Sequence, residues 1–156
     1  MARIIPRSLL DRLIDDNPDL ASEPVMGEDE SFEAMKTGLR RDLEGLLNAR
    51  RPFSSWLSNA PDLAGTVVDF GLPDLSTEDF GTEAVRERIR RMIAHCIRTH
   101  EPRLNRVEVD KDSGPNSTGV HFRISAVISF ASYETEVIYD ARLRPTDRVI
   151  DVSVAN

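Results

Sequence analysis

Few residues in this 156-residue chain have the type and spacing for covalent or acid–base chemistry. The single cysteine, Cys96, falls on the apolar stripe of a predicted helix, which reads as a small buried hydrophobe and not as a nucleophile. His95 and His100 flank it near the end of that helix, where the dipole favours positive charge and gives both a structural reason. His121 opens a predicted strand in opposite phase to Phe122. One cysteine and three histidines exclude an intrachain disulfide and the usual structural zinc sets. No HExxH, GxSxG or glycine-rich phosphate loop occurs. The residues therefore point to no catalytic group, no metal and no cofactor.

Carboxylates are plentiful, but only Glu101 has a distinctive setting. It stands where a long predicted helix breaks before Pro102, and Arg103 follows. Glycosidase chemistry needs two carboxyls at a set separation, one with a raised pKa. An interacting Arg103 would lower the pKa of Glu101, which is wrong for a general acid. The Glu101-Pro102-Arg103 corner thus reads as structural or interfacial. Arg40 and Arg41, followed by Asp42, and the pair Arg50 and Arg51 read as solvated charge runs, available to an acidic partner surface. Apart from Lys36 and Lys111, every basic residue is arginine. Forked arginine donors suit carboxylates at interfaces, although the arginine codons of a GC-rich genome are the plainer explanation.

The elements that must position these residues follow from periodicity. Ser8 caps a short helix carrying Leu9, Leu10, Leu13 and Ile14, ended by Asn17-Pro18. Residues 17–30 are acidic and turn-rich and read as a linker, which makes residues 1–16 a helical arm ahead of one domain over 31–156. A helix from about Ser31 to Asn48 carries Met35, Leu39, Leu43, Leu46 and Leu47 on one face. Residues 53–80 are an irregular connection from which Trp56, Leu57, Leu63, Val67, Val68 and Phe70 are expected to feed the core. A long helix begins after Thr82, a good cap, with Val85, Ile89, Met92, Ile93, Cys96 and Ile97 as its buried stripe. The period then changes to two. Residues 104–110 alternate weakly, Val120 to Phe130 and Val137 to Leu143 cleanly, and Ile150, Val152 and Val154 make a last strand. Helices first and strands after give an α+β class: an antiparallel sheet of three to four strands packed on the long helices.

Composition narrows the role. Lysine and arginine number 20 against 27 acids, a net charge of −7, which argues against general nucleic-acid binding and against adhesion to an anionic membrane. No stretch approaches the roughly 20 apolar residues of a bilayer span, and the N-terminus acquires acids too early for an export signal. The expectation is a soluble intracellular protein in a reducing compartment.

Three strings, in order, add a resemblance: RRDLEGLLNARR at 40–51, FGLPDLS at 70–76 and EPRL at 101–104, with SLLDRL at 8–13 ahead of them. Together they resemble the TssE family of type VI secretion baseplate subunits, part of the wedge-protein family of contractile phage tails often labelled lysozyme-like. The likeness covers nearly the whole chain except the linker at 17–30 and the turn at 111–119. It implies a non-enzymatic wedge subunit that sits with TssF, TssG and TssK and touches the first ring of the TssB–TssC sheath. The implied location is cytoplasmic, at a baseplate docked on the inner membrane, with no direct insertion. The family fold resembles part of the sheath subunit, so the sheet would hand on strand pairing by β-augmentation. The last strand, 148–155, with Val149, Ile150, Val152 and Val154, is the candidate edge, and it reads equally as the fourth strand of a self-contained sheet. The Glu-Pro-Arg corner is a family hallmark tied to baseplate assembly, which implies Glu101, Pro102 and Arg103 as partner-binding residues. Glu101→Ala or Arg103→Ala is then expected to leave folding cooperative and to weaken wedge assembly. The lysozyme-like label, taken literally, implies peptidoglycan cleavage; intracellular character disfavours it, because the wall lies outside the cytoplasm. A small adaptor unrelated to secretion is the third reading.

Overall fold

The computed structural model describes residues 8–14, 18–19, 27–51, 60–111, 119–130 and 133–155. Trp56, Leu57 and the turn at 112–118 lie outside the described residues, as does most of the 17–30 segment. Among the described residues, three α-helices precede four strands: α1 (Leu9–Leu13), α2 (Glu28–Asn48), α3 (Glu83–His100), β1 (Leu104–Lys111), β2 (Val120–Phe130), β3 (Tyr133–Leu143) and β4 (Ile150–Val154). The strands form one antiparallel meander in the order β1-β2-β3-β4, the α+β arrangement expected from the change of period.

One face of this sheet packs on α2 and α3. The clean alternation of β2 and β3 puts Phe122, Ile124, Tyr139 and Leu143 into the core, where each is nearly or wholly buried. Facing them are Leu39, Leu43 and Leu47 of α2 and Ile89, Ile93 and Ile97 of α3. Val85 and Met92 pack only partly buried against this cluster. The weak alternation of β1 has a physical cause. The register shifts between Asn105 and Glu108, and Arg106 takes a left-handed conformation at φ 49°, so one residue is bulged out of the ladder.

Four details depart from the sequence expectation. α2 starts at Glu28, not near Ser31, and places Glu28, Asp29 and Glu30 in its first turn, where acids offset the helix dipole. Ile14 is the extended C-cap of α1 and is exposed. Thr82 caps α3 without a side-chain bond to the helix; its hydroxyl donates to the Asp79 carbonyl instead. Val67, Val68 and Phe70 do not feed the core, Val67 being 90% exposed. The 3-10 turn Val67–Asp69 directs the buried Asp69 inward and the valines outward, while Leu72 and Leu75 fill the core from this segment.

Gly71 explains how that segment closes on α2. The Arg51 N–H donates to the Leu72 carbonyl at 2.8 Å and the Leu72 N–H to the Ala49 carbonyl at 3.0 Å. Gly71 has φ 98°, and a Cβ there would collide with the Ala49 carbonyl, so only glycine permits the approach.

Candidate functional site

The helix-breaking corner is a closed charge network. α3 stops at His100 because the residue before a proline is driven out of the helical region, and Glu101 becomes the C-cap. Its side chain turns inward, leaving the residue 6% exposed. Arg103 meets it with a fork: Nε to Oε1 at 2.6 Å and Nη2 to Oε2 at 2.5 Å, with the Arg103 backbone N–H adding a bond to Oε1 at 3.2 Å. The same Nη2 reaches Asp42 Oδ2 at 2.7 Å. Glu101 first, then Asp42, outweigh burial and hold the Arg103 guanidinium well above its ordinary pKa. The buried Tyr139 ring lies within electrostatic reach of this network; burial pushes its phenol above the usual tyrosine range, and its hydroxyl contacts the Lys36 carbonyl at 3.2 Å. Pro102 is exposed at the tip. The corner therefore joins α2, the end of α3 and the start of β1. Breaking a buried charge pair strands the remaining charge. Substitution at Glu101 or Arg103 is therefore expected to lower stability.

A second inward charge pair ties the end of α2 to the loop. Arg51 Nη1 contacts Asp69 Oδ1 at 2.6 Å, and the Gly65 N–H donates to Asp69 Oδ2 at 3.2 Å. Burial raises the Asp69 carboxyl, but the Arg51 and Gly65 bonds, with the charges of Arg51 and His100, outweigh it and hold the group below its ordinary value. His100 Nε2 lies 3.0 Å from the Asp69 carbonyl, and its ring meets Phe70 edge-on. Cys96 is buried beside this pair, with its thiol pushed up to about 11 by burial, consistent with an inert side chain.

The flagged arginines separate. Arg40 pairs with Glu44 and also reaches the Val152 carbonyl at 3.2 Å. Arg41 pairs with Asp11, which docks α1 on α2 against Gly38. Arg51 is committed to Asp69. Only Arg50 of the four is exposed without an ion pair among the described residues; its Nη2 donates to the Arg148 carbonyl at 3.1 Å.

β4 is an edge of the sheet, and α2 covers part of it. The Ala155 N–H bonds to Ile138 and the Arg144 N–H to Val149, so Ile150, Val152 and Val154 turn their backbone groups away from β3. Asn48 closes on Ile150 from both sides: its Nδ2 donates to the Ile150 carbonyl at 2.8 Å and its Oδ1 accepts the Ile150 N–H at 2.9 Å. Ile150 and Val152 are buried, while Val149 and Val154 are half-buried. At the opposite edge, Arg90 and Arg98 of α3 donate to the Val109 and Val107 carbonyls of β1. Sequence reading missed Asp42, Asn48, Asp69, Arg90 and Arg98 as fasteners. Asp42 carried a usable signal, since it is three residues from the buried Leu39 and beside Leu43.

No group of three or more His, Cys, Asp or Glu side chains able to hold a metal occurs among the described residues. No helix there is long and apolar enough to cross a membrane.

The family model for baseplate wedge protein gp25 matches residues 33–132. The chain belongs to the baseplate wedge protein gp25 family. That span takes in most of α2, all of α3, the corner and β1 and β2, but not β3 or β4. Membership in this wedge family makes the chain a structural part of a phage-tail-like baseplate, built to assemble with other baseplate subunits. No curated protein and no solved structure matches the chain.

Proposed function

We propose that this wedge protein is a subunit of a type VI secretion baseplate, joining TssF, TssG and TssK to the first ring of the TssB–TssC sheath and helping to start sheath polymerisation. It works in the cytoplasm, at a baseplate docked on the inner membrane, and it catalyses nothing. The observation that carries this reading is the Glu101 corner. Both carboxylate oxygens are occupied by Arg103, leaving neither to face a sugar, and the network fixes the exposed Pro102 on a rigid bend. The bend favours a contact surface over an acid catalyst. On this reading Glu101 and Arg103 act as positioning residues, and Pro102 with its surroundings meets the wedge partners.

The sheath contact is assigned to β4. An incoming strand would find the outward groups of Val154 and, after release of Asn48 and Arg40, those of Ile150 and Val152. The test is sheath assembly in cells carrying a fluorescent sheath subunit. Deleting this chain should abolish extended sheaths and wild-type complementation should restore them; unaltered sheaths in the deletion would defeat the proposal.

A further inference from the structure

We infer that Arg90 and Arg98 of α3 shut the β1 edge against strand addition, and that the strand they exclude is β4 of a second copy of this chain. The inference rests on the assignment of strand addition to β4 proposed above and makes the sheet one-sided.

The first observation is what β1 offers. The sheet ends in β1 and β4, and β1 is the longer, eight residues against five. A bare end strand is a template for pairing with another chain. Alternate residues of such a strand turn their backbone groups outward. On β1 these groups are taken one after another. The Leu104 N–H donates to the Glu101 carbonyl at 3.1 Å. The Val107 carbonyl accepts Arg98 Nε at 3.1 Å and Arg98 Nη2 as well. The Val109 carbonyl accepts Arg90 Nη1 at 2.9 Å.

The second observation is how the two arginines are held. Arg90, Ala94 and Arg98 follow one another at i, i+4 spacing along α3, and the small, buried Ala94 lets that row lie close to β1. Glu87 grips Arg90 by a fork, Nε to Oε2 at 2.9 Å and Nη2 to Oε1 at 2.8 Å, and leaves Nη1 for Val109. Arg98 makes no ion pair among the described residues and aims two donors at one carbonyl. Donors that carry charge bind roughly twice as strongly as neutral ones.

The third observation is the bulge. It breaks the even spacing an incoming strand needs, and Arg106 is held to Glu134 of β3 at 3.0 Å. β4 has no such shift against β3, and its fasteners are the neutral Asn48 amide and one Arg40 contact at 3.2 Å.

The excluded strand follows from the pattern of the two ends. β1 buries Val107 and Val109, and β4 buries Ile150 and Val152, on the same helix-covered face. β4 of one copy laid on β1 of the next would continue that apolar face. Such a head-to-tail contact repeats without closing and builds open filaments.

Purified full-length wild type, Arg98→Gln and Arg90→Gln/Arg98→Gln should be compared by sedimentation velocity over a concentration series, each with and without Val154→Pro, which removes an outward N–H of β4, and with thermal melts alongside. Wild type is expected to stay a single copy. The double variant is expected to form concentration-dependent oligomers, Arg98→Gln weaker ones, and Val154→Pro to dissolve both. A cooperatively melting double variant that sediments like wild type would overturn the inference; should the double variant not fold, Arg98→Gln decides in the same way. Oligomers that survive Val154→Pro would overturn β4 as the excluded strand. Because the isolated chain is measured, failure here leaves the role in sheath assembly standing, and failure of that role leaves this result unchanged.

Discussion

The Glu101 corner and the β4 edge are both fastened by α2, but with different chemistry. At the corner, α2 supplies Asp42 to a network of three charged side chains, one of which, Glu101, is a carboxylate almost out of water. At the edge it supplies the neutral amide of Asn48 and the Arg40 guanidinium to backbone groups of a half-covered strand. Losing a partner at the corner strands a charge, whereas losing one at the edge strands only peptide groups that water or another strand can satisfy. On the proposed reading, the corner acts as a brace and the edge as a latch. Any strand addition should therefore occur at the latch, and surfaces displayed by the brace should stay fixed.

The largest expected effect lies at the brace. Arg103→Ala should cost about 3–5 kcal/mol in chemical denaturation, because Glu101 is left buried and uncompensated. A cost below 1 kcal/mol would show that the corner is not the internal support described. Asn48→Ala should cost less, about 1–3 kcal/mol, because it leaves two peptide groups of Ile150 unmatched. The same variant should speed hydrogen exchange at the Ile150 amide while leaving the β2–β3 ladder protected; slow exchange there would mean that Asn48 is no latch.

The smallest effect is a pH dependence. The folded-state pKa of Asp69 lies below its ordinary 3.8, so the folded protein holds fewer protons at this site than the unfolded chain. Its stabilisation is complete above that ordinary value and is lost as the pH falls through the folded pKa. Between pH 5 and 3, wild type should lose more stability than Asp69→Asn, as read from melting temperatures at each pH; parallel losses would remove Asp69 from the account.

Sequence legibility follows the same division. Strands β2 and β3 were readable because a period of two and one buried face leave a pattern within each segment. The corner was readable because proline ends a helix at a fixed place. What could not be read were fasteners between distant segments: Asp42 with Arg103, Arg51 with Asp69, and Asn48 with Ile150 are 61, 18 and 102 residues apart. No local pattern encodes such a partner. Val67 and Val68 misled for a related reason, since the buried Asp69 fixes the orientation of their turn and hydrophobicity does not. The three motif strings now have a shared physical sense. RRDLEGLLNARR, FGLPDLS and EPRL meet in space through Asp42–Arg103 and the Arg51–Leu72 backbone bond.

The most direct test of the assembly role is affinity purification of the tagged full-length chain from cells carrying the intact gene cluster, with bound proteins quantified by mass spectrometry. Recovery of the wedge subunits in fixed ratio to the chain is the expected result. Recovery of the chain alone, under conditions that keep the wedge intact, would contradict the account.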